Sequence, residues 1–235
     1  MFNFKKNKNI KMLDILANVT VCDAEYKIIL VGDTTVGKTS LFKKITSGVF
    51  LDKNVQTIGR DRKTLEIEIT VKQEGKDVQK KINIYLEDTA GQEKYKAITK
   101  TYFKGANGAL LLYNICDKKS FAHIKEWLAM VRENIGNYED NKYLVFMMGT
   151  KLDIVEDDQS RREVSEEEAI DFCDKNDIIW AEECSSKKFT LEEFKEIFGK
   201  FAKQLYEKVG YNKIERNTVS TLDKKKSHNK RHCAC

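Results

Sequence analysis

The sequence from residue 26 to residue 40 is Tyr-Lys-Ile-Ile-Leu-Val-Gly-Asp-Thr-Thr-Val-Gly-Lys-Thr-Ser. Its apolar run, residues 28–31, predicts a strand that is buried on both faces. The run leads into the pattern G-x-x-x-x-G-K-[ST], which begins at Gly32 and is completed by Gly37, Lys38 and Thr39. A helical pattern of apolar residues follows, so a loop that binds phosphate is favoured over a plain strand-to-helix turn without a ligand.

The chemistry of this loop follows from its residue types. Glycines let backbone N–H groups turn toward a β-phosphate, next to the positive N-terminal end of a helix. Lys38 can reach the β- and γ-phosphates, and the Thr39 hydroxyl can bind Mg²⁺. We therefore predict that the chain binds a nucleoside triphosphate together with Mg²⁺. The loop residues predicted to contact the nucleotide are Thr34, Thr35, Val36, Gly37, Lys38, Thr39 and Ser40.

Length and composition favour one α/β domain with two tails. Of the 235 residues, 41% are hydrophobic, which is enough for a core, and the formal net charge is +5. We expect a leader at residues 1–24 (flexible, or a weak interfacial helix), a nucleotide-binding domain at residues 25–208 and a basic tail at residues 209–235. The sequence has no apolar run of about 18 residues that would span a membrane. The six cysteines show no metal or disulfide spacing, which is typical of a protein in a reducing cytosol.

Strand patterns alternate with helix patterns along the domain, which predicts a mostly parallel sheet with helices on both faces. Two strand patterns, residues 63–72 and 81–87, flank the turn sequence at residues 74–77 and predict an antiparallel hairpin. In parallel sheets the ligand lies beyond the carboxyl ends of the strands. The phosphate loop, Asp88 and Asp153 all follow predicted strands, so we expect them at one edge of the sheet.

Four polar positions have a predicted role near the γ-phosphate. Asp88 ends a strand, where its carboxylate can hold Mg²⁺ directly or through water, and Thr57 can supply a second hydroxyl ligand. Gly91 allows a backbone N–H group to approach the γ-phosphate closely. The side-chain amide of Gln92 can orient an attacking water molecule. The alternative is that residues 88–91 form a plain loop.

Asp153 indicates which base is bound. A carboxylate accepts hydrogen bonds from guanine N1–H and from the exocyclic amine, whereas adenine lacks both donors and would leave a charge unpaired. Lys151 can lie along the plane of the base, and Phe50 can pack against the ring. Backbone N–H groups after the last strand can bind guanine O6. The other residues predicted at the base are Thr150, Ser185, Ser186 and Lys187.

Taken in order, these segments resemble the five nucleotide motifs of the Ras-like small GTPases. The resemblance covers residues 25–208, and within that superfamily the chain is most similar to the Rab family. The segments that resemble Rab proteins are residues 57–59, 102–106 and 112–115 and the ending Cys-Ala-Cys. The resemblance implies the P-loop small GTPase fold, an α/β fold with a mostly parallel six-stranded sheet, one antiparallel hairpin strand and helices on both faces.

The Rab resemblance also implies a function and its participants. The implied function is a switch between GTP and GDP that regulates vesicle trafficking. The protein would hydrolyse GTP to GDP and phosphate, with Gln92 and Lys38 as catalytic residues and Mg²⁺ as cofactor. The implied partners are a guanine nucleotide exchange factor, a GTPase-activating protein, effectors, a prenylation escort and a GDP-dissociation inhibitor. We expect a monomer that does not bind nucleic acid.

The terminal cysteines, Cys233 and Cys235, give the basic tail a predicted role. Residues 211–235 carry seven Lys/Arg residues against two acidic residues, which favours an anionic partner, either a membrane or nucleic acid. A C-a-a-X signal is absent because His232 stands fourth from the end. The Rab ending implies geranylgeranyl groups on both cysteines, and two lipid chains anchor a protein stably. We therefore expect the cytoplasmic face of an intracellular membrane, with cycling through the cytosol. A nucleic-acid arm or a merely solvated tail would not need these cysteines.

The predicted effector surface departs from the Rab pattern. Rab proteins usually carry phenylalanine and tryptophan where this chain has Arg62 and Glu87, next to Tyr102, with Ile58 as the fourth residue of the surface. The opposite charges predict a cross-strand ion pair. As an exposed pair it would add only about 0–1 kcal/mol to stability, so we expect it to affect effector choice instead. The hairpin is also longer than in typical Rab proteins, and Thr150 stands where most members have asparagine.

Two other functions are compatible with parts of the pattern. One is a GTP-dependent, membrane-tethered binding module with negligible hydrolysis and non-standard effectors. The other is an ATP-using phosphotransferase that shares the phosphate loop, which Asp153 and residues 185–187 disfavour.

Overall fold

The computed structural model of the chain describes residues 22–50, 60–89, 102–135 and 142–210. The predicted leader and basic tail therefore lie almost entirely outside the described residues. The elements, in chain order, are β1 (Ala24–Val31), α1 (Lys38–Ser47), β2 (Arg60–Gln73), β3 (Lys76–Thr89), β4 (Gly108–Asn114), α2 (Lys118–Ala122), α3 (Ile124–Ile135), β5 (Leu144–Thr150), α4 (Leu152–Asp157), a 3₁₀ helix (Gln159–Arg161), α5 (Glu166–Lys175), β6 (Ile179–Cys184) and α6 (Leu191–Lys208).

The six strands form one sheet in the order β2-β3-β1-β4-β5-β6. β2 and β3 are antiparallel, whereas every other neighbouring pair is parallel. This is the predicted fold class, and it is confirmed. None of the helices in the described ranges is long and apolar enough to cross a membrane.

The central strand β1 is buried along its whole length, as its continuous apolar sequence predicts. Side chains alternate across a strand, so Ile28 and Leu30 point to one face and Ile29 and Val31 to the other. The first pair packs in a core with α1 and α6, and the second pair packs in a core with α3 and α5. The predicted helices on both faces are therefore present, and each face has its own core.

The hairpin of β2 and β3 is longer than the strand patterns predict. Each strand has 14 residues, and they pair without interruption from Arg60↔Thr89 to Gln73↔Lys76, around a turn at Glu74 and Gly75. β1 pairs with β3 only from Ile82 onward, so the distal part of the hairpin extends beyond β1. The apolar side chains of β2 keep this part packed on the domain, because Ile69 and Val71 are buried in the core that contains α6.

The end of α6 is tied to the start of the sheet. The hydroxyl of Tyr26, near the beginning of β1, donates a hydrogen bond of 2.6 Å to the carbonyl of Gly210. Tyr26 is completely buried, and burial raises the pKa of its hydroxyl far above the usual range, so it remains a donor. The last described residue therefore has a fixed position at the end of the sheet where β1 begins.

Candidate nucleotide-binding site

The phosphate loop joins β1 to α1 with backbone angles that require glycine at two positions. Gly32 has φ +147°, and a Cβ atom there would lie 2.3 Å from the carbonyl oxygen of Leu112 on β4. Gly37 has φ +104° and directly precedes α1. An L-residue at Gly32 would clash with a backbone that cannot move aside. The loop is therefore held tightly against the neighbouring strand.

Lys38 is buried within this loop. Its residue is only 5% exposed, and its ammonium group donates hydrogen bonds to the carbonyls of Gly32 at 2.8 Å and Asp33 at 2.5 Å. These contacts fold the side chain back over the loop instead of into solvent. A positive charge is thus fixed beside the backbone N–H groups at the start of α1, an arrangement that suits a polyphosphate.

Thr39, the residue after Lys38, contacts Asp88 at the end of β3. The Thr39 hydroxyl donates a hydrogen bond of 2.7 Å to the carboxylate of Asp88, whose residue is 1% exposed. A hydroxyl and a carboxylate are oxygen ligands of the kind that Mg²⁺ prefers. Among the residues that the structure describes, no three His, Cys, Asp or Glu side chains form a metal-binding group. One hydroxyl and one carboxylate are a donor set that fits Mg²⁺, because this ion usually keeps waters and binds phosphate oxygens in addition to a few protein ligands.

Thr150, at the end of β5, holds the phosphate loop in place. Its buried hydroxyl lies 2.6 Å from the carbonyl of Val36 in the loop and 2.8 Å from the carbonyl of Tyr113 on β4. A hydroxyl has one proton, so it can donate to only one of these acceptors at a time. Thr150 thereby connects the loop to two strands, and this supporting role is additional to the nucleotide contact that its motif predicts.

The residues predicted to bind guanine also come together. The Ser185 hydroxyl donates a hydrogen bond of 2.8 Å to the Asp153 carboxylate. The same oxygen accepts hydrogen bonds from the backbone N–H groups of Lys187 at 3.2 Å and Lys188 at 3.0 Å. Ser185 is 1% exposed, so it fixes both the carboxylate and the turn after β6 from beneath.

The other predicted contact residues differ in exposure. Lys151 has a left-handed backbone (φ +68°) at the start of α4, and burial lowers the pKa of its ammonium group. Phe50 and Ser186 are half-buried, while Lys187 is exposed. In the phosphate loop, Thr34 and Thr35 are exposed, Val36 is buried and Ser40 is half-buried.

Asp33 is a residue of the site that the sequence analysis missed. Its carboxylate lies 2.6 Å from Nδ1 of His123 and accepts a hydrogen bond of 2.7 Å from Nε1 of Trp127. The hydrogen bond to Asp33 raises the pKa of His123. The phosphate loop is therefore anchored to the start of α3. An acidic residue inside a phosphate-binding loop was the available signal, because such a charge needs a partner.

The expected ion pair between Arg62 and Glu87 is present, in a different environment. The two residues are cross-strand partners, with Nε of Arg62 3.7 Å from Oε1 of Glu87. The expectation of an exposed pair is wrong for Glu87, which is 0% exposed and has a second cation, the Lys27 ammonium, 3.1 Å from Oε2. Arg62 is 40% exposed and its guanidinium lies 4.1 Å from the centre of the Tyr85 ring. Glu87 thus supports Arg62 of the predicted effector surface from its buried side. Tyr102, another residue of that predicted surface, is half-buried.

Six predicted site residues lie outside the described residues. They are Thr57, Ile58, Gly91, Gln92, Cys233 and Cys235. Their roles stay predictions.

Comparisons with known proteins agree with this geometry. The model of the Ras family matches residues 27–207. The human Ras-related protein Rab-30 is 32% identical over 200 residues, which covers 85% of this chain and 89% of that protein. Rab-13 of Bos taurus is 30% identical over 212 residues, covering 88% of this chain and 95% of the relative. Rab-11C of Dictyostelium discoideum is 37% identical over 162 residues, covering 68% and 65%.

The family match spans the phosphate loop, the Thr39–Asp88 pair, Thr150 and the Asp153–Ser185 contact. These are the motifs on which the sequence resemblance rests. The chain belongs to the Ras-like small GTPases and, within them, to the Rab family.

Proposed function

We propose that this protein is a Rab-type switch that binds GTP and GDP, hydrolyses GTP to GDP and phosphate, and regulates vesicle trafficking. The observation that carries the proposal is the buried Lys38 ammonium beside the hydrogen-bonded pair of Thr39 and Asp88. This arrangement provides a fixed positive charge and two oxygen ligands at the end of β1. Asp153, held by Ser185, supplies the acceptor that selects guanine.

The proposed chemistry is positioning and charge stabilisation. When Mg²⁺ is bound, Thr39 and Asp88 would hold it, directly or through water, and it would neutralise charge on the phosphate oxygens. Lys38 stabilises the charge that develops on the β- and γ-phosphates as the γ-phosphate leaves. Gln92 orients the attacking water. An arginine from a GTPase-activating protein completes the stabilisation, as the family implies.

The switch itself depends on two segments that contain Thr57 and Gln92. A bound γ-phosphate would recruit Thr57 to Mg²⁺ and the N–H of Gly91 to a phosphate oxygen. Hydrolysis removes the group to which both are attached. Effectors, the exchange factor and the activating protein would distinguish the two states through these segments and the adjacent surface at Arg62 and Tyr102.

Gln92→Leu tests the hydrolytic role. We expect single-turnover hydrolysis of bound GTP to slow by roughly 10-fold or more, because leucine cannot hydrogen-bond and so orient the water. The equilibrium constant for GTP binding should change less than about threefold. Rates measured with purified, GTP-loaded protein check both expectations. Unchanged hydrolysis in the variant would refute the role of Gln92.

The same measurement separates the proposal from its first rival. A tether with negligible turnover would show no GTP hydrolysis in the unmodified protein, with or without cell extract as a source of activating protein. The contacts of the described residues favour neither negligible turnover nor non-standard effectors. The ATP-using alternative predicts that ATP displaces bound GDP, which a competition experiment checks directly.

The proposed location rests on the terminal cysteines and the basic tail. We propose geranylgeranyl groups on Cys233 and Cys235, delivered with a prenylation escort, and retrieval from the membrane by a GDP-dissociation inhibitor. Lys224, Lys225 and Lys226 would add electrostatic attraction of about 1 kcal/mol each near an anionic leaflet.

Replacing both cysteines by serine tests the location. We expect the tagged double variant to be found in the soluble fraction and diffusely in cells, because the lysines alone bind a membrane weakly. The single variants Cys233→Ser and Cys235→Ser should show intermediate, reversible membrane association, since one lipid chain anchors marginally. Membrane association of the double variant equal to that of the unmodified protein would contradict lipid anchoring.

A further inference from the structure

We propose that Lys27, Glu87 and Arg62 form a charge triad around the buried Glu87 carboxylate that couples the two switch segments to each other and to Asp88, the predicted metal ligand. The proposal rests on the proposed switching function and goes beyond it, because it assigns a positioning role to Lys27 and names the path of coupling. Lys27 is in the middle of β1, Glu87 is near the carboxyl end of β3, and Arg62 is near the start of β2.

The first member, Lys27, connects β1 to the end of the second switch segment. Its ammonium donates hydrogen bonds to the backbone carbonyls of Tyr102 at 2.6 Å and Lys104 at 3.0 Å. Tyr102 is the first described residue after the segment that contains Gln92, and residues 102–103 are helical and followed by a turn. A cation at the carbonyl end of a helical turn interacts favourably with the carbonyl dipoles. The position of this segment's end thus depends on the Lys27 charge.

Lys27 is itself held rigidly. Its backbone N–H donates a 2.9 Å hydrogen bond to the side chain of Asn107, and its carbonyl accepts a 2.8 Å hydrogen bond from the backbone N–H of Asn107. Both residues are buried, at 6% exposure each. Both the strand that carries Lys27 and the Glu87 carboxylate that it contacts are therefore fixed. A displacement of residues 102–104 would then change the contact between Lys27 and Glu87.

The second member, Glu87, is shared between two cations from different elements. Its carboxylate lies 3.1 Å from the Lys27 ammonium and 3.7 Å from Nε of Arg62, and none of its surface is exposed. Glu87 directly precedes Asp88, which accepts the Thr39 hydrogen bond at the metal site. A movement of Glu87 would therefore also move Asp88, the predicted metal ligand, because the two residues share a peptide bond.

The third member, Arg62, lies on β2 close to the first switch segment. It lies three positions after residue 59, the last residue of the segment that contains Thr57. Its guanidinium is placed over the Tyr85 ring at 4.1 Å, and Tyr85 is anchored by a 2.9 Å hydrogen bond to Glu25. The Tyr85 ring therefore helps to hold the Arg62 guanidinium on the face of the sheet that also carries the Glu87 carboxylate.

Charge makes these contacts interdependent. Removing one partner of a buried ion pair leaves an uncompensated charge, whereas apolar neighbours merely lose contact area. If the end of the second switch segment moves away from Lys27, the ammonium loses two acceptors and is drawn further toward Glu87, which weakens the hold on Arg62. The aromatic pair that Rab proteins usually have at these two positions carries no charge, so it would not make the contacts of Lys27 interdependent in this way.

Hydrogen exchange on the full chain, loaded with GDP or with a non-hydrolysable GTP analogue, tests the triad. In the unmodified protein we expect the analogue to slow exchange in peptides around residues 57–64 and 91–106. In Lys27→Met, exchange at residues 102–106 should rise at least about tenfold in both nucleotide states. In the same variant, the difference in exchange between the GDP and analogue states at residues 57–64 should be at least about threefold smaller than in the unmodified protein. Lys27→Arg, which keeps the charge, should restore most of both effects.

A matched control is available in Lys175→Met. Lys175 pairs with Asp171 on the exposed surface of α5, with side chains 70% and 61% exposed, so its loss should leave both readouts unchanged. A purely structural Lys27 would raise exchange at residues 102–106 but leave the nucleotide-dependent change near Arg62 intact. That result would overturn the proposed coupling. The coupling would also be overturned if Lys175→Met changed both readouts as much as Lys27→Met does.

A second arm does not depend on switching. In the GDP state alone, Arg62→Met should raise exchange at residues 102–106 at least about threefold, although the described contacts of Arg62 do not include those residues. No change there overturns the triad. If hydrogen exchange in the unmodified protein is the same with GDP and with the analogue, the proposed switching function fails. The Arg62→Met result then still decides whether a change at Arg62 reaches residues 102–106 through the triad.

Discussion

Replacing Asp153 by asparagine is expected to weaken GDP and GTP binding by roughly 10²–10⁴-fold. The carboxylate would accept two hydrogen bonds from guanine, and each bond to a charged group contributes about 1.5–3 kcal/mol. Asparagine has the same shape but keeps only one acceptor oxygen and presents N–H groups toward the guanine donors. Isothermal titration with nucleotide-free protein, or displacement of a fluorescent GDP, measures the change.

Two comparisons make the Asp153 result specific. Xanthine carries a carbonyl where guanine carries its exocyclic amine, and the side-chain N–H of an asparagine can donate a hydrogen bond to that carbonyl. The Asp153→Asn variant should therefore bind xanthosine diphosphate more tightly than the unmodified protein does. Asp157→Asn is the matched control, because Asp157 lies on the same short helix, α4, and only pairs with Lys188 at 3.0 Å on the surface. GDP affinity that is unchanged in Asp153→Asn, or equally reduced in Asp157→Asn, would contradict the assignment of the base site.

Replacing Lys38 by methionine is expected to lower GTP hydrolysis by about 10²–10³-fold and to weaken nucleotide binding as well. Lys38 is 5% exposed and its ammonium is aligned by the carbonyls of Gly32 and Asp33, so methionine occupies a similar volume but leaves no cation at this position. Loss of one preorganised donor at the site of developing charge typically has this effect on rate. Single-turnover hydrolysis at saturating GTP separates the rate from the binding.

Lys43→Met is the control for Lys38→Met. Lys43 is on the same helix, α1, and is half-buried, so the substitution removes the same charge from the same element at a distance from the loop. We expect its hydrolysis rate to stay within about threefold of that of the unmodified protein. A Lys38→Met protein that is folded, binds GTP and hydrolyses it at the original rate would refute the role of the lysine.

Much of the fold and of the site follows from local sequence. The apolar run of β1 and the glycine spacing after it predict a buried parallel strand and the loop that the structure shows. Strand and helix periodicity predicts the parallel sheet with an antiparallel hairpin. Parallel topology then brings the strand ends together, which explains why Asp88 could be placed near Thr39 before any contact was known.

The features that the sequence could not provide depend on contacts between distant residues. Asp33 and Trp127 are 94 positions apart, and only the packing of α3 beside the phosphate loop joins them. The burial of Glu87 depends on Lys27, whose strand lies next to β3 although about 60 residues separate them. A lysine in an otherwise apolar strand pattern was a sign of a buried partner, but periodicity does not say which carboxylate pairs with it.

The hydrogen bond between Tyr26 and Gly210 sets the point of the domain from which the proposed lipid tether starts. It places the origin of the tail near the start of β1, whereas the phosphate loop follows the end of that strand. About 23 residues separate Gly210 from Cys233, and a chain of that length spans at most roughly 80 Å. Under the proposed lipid anchoring, the tether would therefore start from the pole of the domain opposite the predicted nucleotide site, and the nucleotide pole would be the one free to face away from the bilayer. Partners could approach it without contacting the bilayer, and the tail length would set how far from the bilayer they meet it.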